Sequence, residues 1–273
     1  MLRDRCVGDM AGRAGRLYAM PVKVVSDLHS ATDALRRTIA PEDTLLLLGD
    51  LVNIIDYRTM DGILVDVFGV EAVQEVVDLR AERRFDEARA AMARRRKGRE
   101  DELARQFQTL LRQAYRDVRD ALPERVYVIL GNVDSPHLAC EVERPGVEMV
   151  DGKVVEIEGL RVGFVGGGLP TPLKVAGEIG EDEYDAKLEG LGPVDVLCSH
   201  VPPDIPELTY DVLASRHERG SAGLLGYVRE VQPKRVYFGH IHQPLISSMH
   251  LGRTHLLNAG YFRRTQRPMP FLP

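Results

Sequence analysis

Seven side chains able to hold a metal ion stand directly after short apolar runs in this sequence. Asp27-Leu28-His29 follows the run 22–26, Gly49-Asp50 the run 44–48, and Gly131-Asn132 the run 126–130. Ser199-His200 follows 194–198, and Gly239-His240-Ile241-His242 follows 236–238. Any one of these is ordinary, because an Asp or His after a strand commonly caps or turns the chain. Five in one chain, each at the same place relative to its run, form a constellation. The donors are carboxylate, imidazole and one amide oxygen. That set suits Mn2+ first, and Fe, Zn, Ni or Co as well, rather than a thiolate-seeking metal. Two divalent ions about 3.5–4 Å apart can clamp a phosphate and activate a water between them. One carboxylate shared by both would hold that spacing, and Asp50 is the candidate.

The elements that must position these residues follow from the pattern. Each apolar run is four to six residues long or shorter and rich in aliphatic side chains, as strands buried on both faces are. Helical patterns lie between them, such as 221–231 ahead of Pro233, so the fold class is α/β. In open α/β sheets ligands gather beyond the carboxyl ends of the strands, which lets distant motifs converge. The stretch 149–165 reads instead as a hairpin turning at Glu158-Gly159, part of a second, partly antiparallel sheet. Two packed sheets flanked by helices fit. The segment 69–122 is a helical hairpin inserted between two core strands. Leu103, Phe107, Leu110, Ala114, Val118 and Leu122 recur at helical spacing and Pro123 closes the helix. One or two further helices lie upstream, with a basic turn over 94–99. The stripes of this insertion need a partner surface, either one side of the site or a second copy in a homodimer.

The chain has 273 residues, 44% of them hydrophobic, enough for one large domain over 21–273. Its net charge of −5 argues against a protein that coats nucleic acid, while a site able to clamp a phosphate makes a small phosphoester the expected partner, with nucleic acid not favoured. Cys6, Cys140 and Cys198 make no disulfide pattern and suggest a reducing compartment. Residues 1–20 lack the apolar middle of a secretory signal and read as a disordered leader. No apolar run approaches the roughly 20 residues that cross a bilayer. The expected location is cytoplasmic, with no membrane partner.

Taken in order, the five motifs resemble those of the calcineurin-like metallophosphoesterase superfamily, from residue 22 to about 260. The resemblance implies a four-layer α/β/β/α sandwich of two mixed sheets and the hydrolysis of phosphate esters by a water activated between two metals. It implies that Asp27, His29, Asp50 and His242 hold one ion and that Asp50, Asn132, His200 and His240 hold the other. Asp27, Asp50, Asn132 and His200 carry over as catalytic residues. One departure matters. Superfamily members usually carry Gly-Asn-His-Asp or Gly-Asn-His-Glu where this chain has Gly131-Asn132-Val133-Asp134. That histidine protonates the leaving group in many members, and valine cannot. Some bacterial and archaeal members resembling phosphodiesterases also lack it, which points to diesters. Ile54-Ile55 after Asn53 replaces the arginine pattern of the Ser/Thr protein phosphatases, which argues against that branch. A nuclease with the same metal site is the alternative, and a non-catalytic scaffold would not need seven costly ligands.

Other residues carry weaker readings. His137 could replace the missing acid but reads as a surface histidine after Pro136. His217 and Arg219 read as a pocket wall or a surface loop. Arg263 and Arg264 follow the apparent final strand at 256–260 and read as a solvated tail or as phosphate contacts. The basic turn 94–99 reads as a solvated helix end or an anion clamp. Cys198 reads as a small core residue.

Overall fold

The apolar runs form the strands that their composition requires. The computed structural model describes residues 21–272, and the leader expectation therefore lies outside the described residues. In one sheet β1 (Val22–Val25), β2 (Thr44–Leu48), β3 (Arg125–Ile129) and β4 (Val147–Met149) lie parallel in that order. β13 (Met269–Pro270) runs antiparallel along the outer edge of β1. The second sheet contains β5 (Val154–Ile157), β6 (Leu160–Val165), β7 (Val196–Ser199), β10 (Arg235–Phe238), β11 (Ser248–Leu251) and β12 (Thr254–Asn258). Its order is β11-β12-β10-β7-β6-β5, parallel in the centre and antiparallel at both edges. β8 (Tyr210–Asp211) and β9 (Arg216–His217) form a small separate ribbon.

Side-chain alternation along each strand divides the core. Val24, Leu46, Leu48 and Ile129 point between the sheets, where they meet Phe164, Cys198 and Tyr237. Their neighbours Val25, Leu45, Leu47, Val126 and Val128 point the other way, onto α1 (Thr32–Thr38) and α5 (Glu100–Arg119). On the far sheet Val165, Leu197, Val236 and Phe238 face α6 (Glu181–Leu191) and α8 (Ala222–Val231). The result is the expected α/β/β/α sandwich, and it explains why these runs carry apolar side chains on both faces. Leu46 is fully buried between the sheets, and its truncation to Ala would cost about 2–5 kcal/mol. Ser221 caps α8, its Oγ accepting from Leu224 N–H at 2.9 Å. The hairpin β5–β6 turns at Glu158 and Gly159, whose φ values of 52° and 73° are those of a type I′ turn.

Two expectations need correction. The strand β12 is not the last, since β13 follows it. A two-residue strand ending in proline makes no apolar run, so periodicity passes it over. The segment between β2 and β3 is also more than a hairpin. It contains α2 (Ile63–Phe68), α3 (Val70–Ala81), α4 (Phe85–Arg96) and α5. Only α3 and α4 pack as a peripheral pair, around Val76, Ala88, Ala91 and Met92. α5 instead lays Leu103, Leu111, Tyr115 and Val118 into the core beside the first sheet, so it is a structural layer of the sandwich. The basic turn is largely neutralised within the chain. Arg94 and Arg95 pair with Glu75, Arg99 pairs with Glu102, and Arg96 stands over the Phe68 ring.

Candidate metal centre

The carboxyl ends of β1, β2, β3, β7 and β10 meet at one rim, and all seven expected ligands arrive there. The loops that carry them are tied to one another by backbone hydrogen bonds. Asp27 N–H donates to Gly49 O, His29 N–H to Asp50 O, Gly239 N–H to His200 O and Gly167 N–H to Leu130 O. The chain turns so sharply here that Asp27, His29, Asp50 and His240 all have positive φ, at 55°, 40°, 52° and 67°. Left-handed backbone is costly for such residues and collects at functional sites. Gly49 shows why a glycine precedes Asp50. Its φ is 91°, and a Cβ there would stand 2.5 Å from Gly131 N and 2.7 Å from His200 Nδ1.

Two groups of donors share Asp50. In the first, His29 Nε2 lies 3.2 Å from His242 Nε2 and 3.6 Å from Asp50 Oδ2, and His242 Nε2 lies 3.3 Å from Asp27 Oδ1. Ligand atoms of Asp27, His29, Asp50 and His242 all fall within 4.8 Å of one another. In the second, Asn132 Oδ1 lies 2.9 Å from both His200 Nε2 and His240 Nδ1, and His200 Nε2 lies 3.5 Å from Asp50 Oδ1. Tautomers are set from behind. His29 Nδ1 faces Val52 O at 3.3 Å and His200 Nδ1 faces Leu48 O at 2.8 Å. Each carbonyl can only accept, so each Nδ1 carries the proton and each Nε2 turns its lone pair inward. Lone pairs then confront one another, as His200 Nε2 does Asn132 Oδ1. A divalent cation is the group this arrangement fits.

The electrostatics agree. Burial, with the charge of His242 beside it, pushes the His29 pKa down to about 3. Burial and His200 take His240 down to about 3 as well. Both rings are therefore neutral near neutral pH, the form that ligates. Burial alone would raise Asp27, but the hydrogen bond and charge of His242 overcome it and hold the carboxyl below its ordinary range. Burial likewise opposes a charged His242, and Asp27 outweighs it, so the His242 pKa is raised. Burial raises Asp50, with Asp27 adding to the effect and His200 opposing it.

Several residues around the ligands have little sequence signal. Asp134 is fully buried, and its oxygens accept from Leu51 N–H at 3.0 Å, Gly131 N–H at 2.8 Å and the Tyr115 hydroxyl at 3.3 Å. Burial and the neighbouring Asp50 push its pKa up to about 7. The Tyr115 hydroxyl also accepts from Ser135 N–H at 2.7 Å, which ties α5 to the loop carrying Asn132. Val133 N–H donates to Asp50 Oδ1 at 3.1 Å. Asp27 accepts from His240 N–H at 3.0 Å and so clamps the turn before His242. Tyr261 stacks on the His242 ring with centroids 3.9 Å apart. A Cβ on Gly168 would collide with the Asn132 side chain. The signal for that contact was the run Gly166-Gly167-Gly168 after β6.

The other histidines and arginines lie apart from this centre or serve the frame. His137 is exposed in a short 3-10 turn, Pro136–Val142. His217 is exposed and edges against Tyr210, and Arg219 pairs with Glu181. His250 and His255 stack on each other across β11 and β12. Arg263 is neither a solvated tail nor free for phosphate. It lies in a short helix, α9 (Phe262–Thr265), donates to His29 O at 2.7 Å and is ion-paired with Asp61 at 2.8 Å. Cys198 is buried between the sheets, and burial pushes its thiol pKa up.

A two-sheet sandwich with aspartates and histidines gathered at its strand ends defines a metal-binding hydrolase of phosphoric esters. The calcineurin-like phosphoesterase profile matches residues 20–244, and the chain belongs to that family. One solved crystal structure is 18% identical and covers 89% of this chain and 92% of its own, with a TM-score of 0.57. The crystal structure of TT1561 of Thermus thermophilus is 13% identical and covers 93% and 99%, with a TM-score of 0.48. At these identities the first likeness speaks for the fold alone. No curated protein matches the chain. No helix among the described residues is long and apolar enough to cross a membrane.

Proposed function

We propose that the chain hydrolyses phosphodiesters with two divalent ions. Asp27, His29, Asp50 and His242 would hold one, and Asp50, Asn132, His200 and His240 the other. The observation that carries this reading is the Asp50 carboxylate, whose Oδ2 addresses His29 and whose Oδ1 addresses His200. Bound divalent ions would offset charge on the phosphoryl oxygens and make an attacking water more acidic. The chain's own residues hold the geometry for that. Asp27 fixes the turn that presents His240 and His242. Leu48 O and Val52 O hold His200 and His29 in the ligating tautomer. Asp134 secures the backbone on either side of the Asp50 and Asn132 ends, through Leu51 and Gly131.

Val133 bears on the leaving group, and the diester part is supported by the resemblance to phosphodiesterase-like members that also lack the histidine. The Val133 backbone N–H braces Asp50, while its side chain has no proton for the leaving oxygen. A well-placed general acid is worth about 10²–10⁴-fold, so the reading favours substrates whose leaving group departs unaided. The test has two measurements. Elemental analysis of active enzyme should find two ions per chain. With one leaving group, kcat/KM should be higher for a diester than for the monoester. One ion or none in active enzyme would overturn the dinuclear assignment. A monoester preference would overturn the substrate assignment.

A further inference from the structure

Six large apolar side chains stand exposed among the described residues, and four of them lie on loops tied to Gln243, the residue after His242. They are Tyr57, Val212, Leu213 and Leu245, at 45, 46, 58 and 56% exposure. The other two, Val70 and Leu272, sit at the start of α3 and beyond β13. Such concentration matters because contiguous apolar surface on a monomer commonly marks a binding site.

Hydrogen bonds join the four into one rim. The β8–β9 ribbon is pinned to the segment after His242. Gln243 N–H donates to Asp211 Oδ2 at 3.2 Å, Val212 N–H to Gln243 O at 2.9 Å and Leu245 N–H to Tyr210 O at 3.0 Å. The loop after Asp50 reaches the same segment from the other side. Arg58 donates to Gln243 Oε1 at 2.6 Å. Asp56, two residues before Arg58, accepts from the Tyr261 hydroxyl at 3.1 Å, and Tyr261 is stacked on His242. The loop of Tyr57 and Arg58 and the loops of Val212, Leu213 and Leu245 are thus both tied to the segment that follows His242.

The chemistry of this rim is apolar, and the arginines beside Tyr57, Arg58 and Arg80, are held in hydrogen bonds to Gln243 and to the Tyr57 hydroxyl. Arg216 on the ribbon is paired with Glu218. A polyanion such as a nucleic acid would call for several cations here, because phosphate contacts supply most of its affinity. A diester carrying a single negative charge, with one hydrophobic substituent, matches the rim better. We infer that Tyr57, Val212, Leu213 and Leu245 form the subsite for an apolar ester arm of the substrate, beside the metal centre. The inference rests on the phosphodiester reading above and names the class of diester within it.

The experiment uses 4-nitrophenyl phosphodiesters whose second arm is methyl, hexyl or phenyl. The leaving group is constant and the methyl and hexyl arms are electronically alike, so their ratio reads the contact of the arm, and the phenyl ester is compared after correction by its rate in hydroxide. The natural protein should prefer the hexyl and phenyl esters to the methyl ester by at least about ten-fold in kcat/KM, mostly through KM. In Leu213→Ser/Leu245→Ser that ratio should fall to within about two-fold. Both positions are exposed, so the double variant should keep its melting temperature. Val70→Ser, an exposed apolar change away from the rim, should keep the full ratio. A natural protein that is active on all three but indifferent to the arm overturns the inference and leaves the diester reading standing, as does a double variant that keeps the preference. A natural protein inactive on all three diesters overturns both.

Discussion

Tyr115→Phe isolates the link between α5 and the metal-binding loop. The ring is fully buried and packs in the core beside the first sheet, and phenylalanine preserves that packing. What is lost is one hydroxyl with two partners. Ser135 N–H, which donates to it at 2.7 Å, is left without an acceptor in a partly buried place. An orphaned donor costs about 1–3 kcal/mol. Asp134 loses one of three donors, the weakest at 3.3 Å, and keeps Leu51 and Gly131. A neutral hydrogen bond of that kind is worth about 0.5–1.5 kcal/mol. Together these give a loss of about 1.5–4.5 kcal/mol, or a fall in Tm of about 3–18 °C for a chain of this size. The loss should also reach the site, because Ser135 and Asp134 are within three residues of Asn132. Disturbing the groups behind a metal ligand typically weakens binding by about 10–100-fold. Calorimetry of the metal-free protein and a metal titration of the variant measure the two effects separately. A Tm within about 1 °C of the natural protein, together with unchanged metal affinity, would refute the reasoning.

Asp50→Asn should cost the protein both ions, whereas His242→Ala should weaken mainly one, as elemental analysis after dialysis would show. Val133→His should speed esters of poor leaving groups most and nitrophenyl esters least; equal gains across a series of leaving-group pKa values would count against it. In metal-free protein the pKa values of His29 and His240 near 3 mean that the unfolded chain binds protons the folded chain refuses between about pH 6.5 and 3. These two residues therefore cost stability as pH falls through that window. Asp134, raised to about 7, does the opposite from about pH 7 to 4, because there the folded chain binds the extra proton. Asp134→Asn removes that offset, so its stability should fall with acid more steeply than the natural protein's, by up to about 1.4 kcal/mol per pH unit, measured by urea unfolding between pH 7 and 4. Replacing 70–97 by a short Gly-Ser linker should leave a folded enzyme, because α3 and α4 pack mainly on each other, while removing α5 as well should abolish folding, as circular dichroism would show.

The candidate ligands were legible because a strand buried on both faces is a short apolar run, and the residues just past such a run stand at the rim of the sheet. Asp27, Asp50, Asn132, His200 and His240 each needed only that rule. The supporting residues follow no such rule. Tyr115 lies within an amphipathic helix and reads as one more apolar position, and nothing in its neighbours shows that its hydroxyl meets Asp134. The expected stripe on α5 ran through Leu110 and Ala114, while the most deeply buried positions are Leu111 and Tyr115, one place round the helix. Asp134 was visible only as the residue after a missing histidine. Arg263 looked like a basic tail because its partners, Asp61 and the carbonyl of His29, are more than 200 residues away. The apolar rim was hidden for a similar reason: the loops of Tyr57, Val212-Leu213 and Leu245 are far apart in sequence and are joined only through hydrogen bonds at Gln243 and Tyr210.

The antiparallel strand β13 bears on the order in which the fold can assemble. Val24 pairs with Met269 and Lys23 with Pro270, and Phe271 N–H then donates to Val22 O. The first strand of the sandwich thus waits for its outer partner until residues near 270 have been made. Contacts so distant in sequence form slowly, since a long loop must close first. Until then the edge of β1 carries open backbone donors and acceptors, a template for another chain. Once β13 docks, its proline presents no donor on the outside, and Leu272 N–H reaches the Tyr237 hydroxyl on the opposite sheet at 2.9 Å. Four late residues thus close an aggregation-prone edge and stitch the two sheets together in one step, and the strand they secure is the one that ends in Asp27.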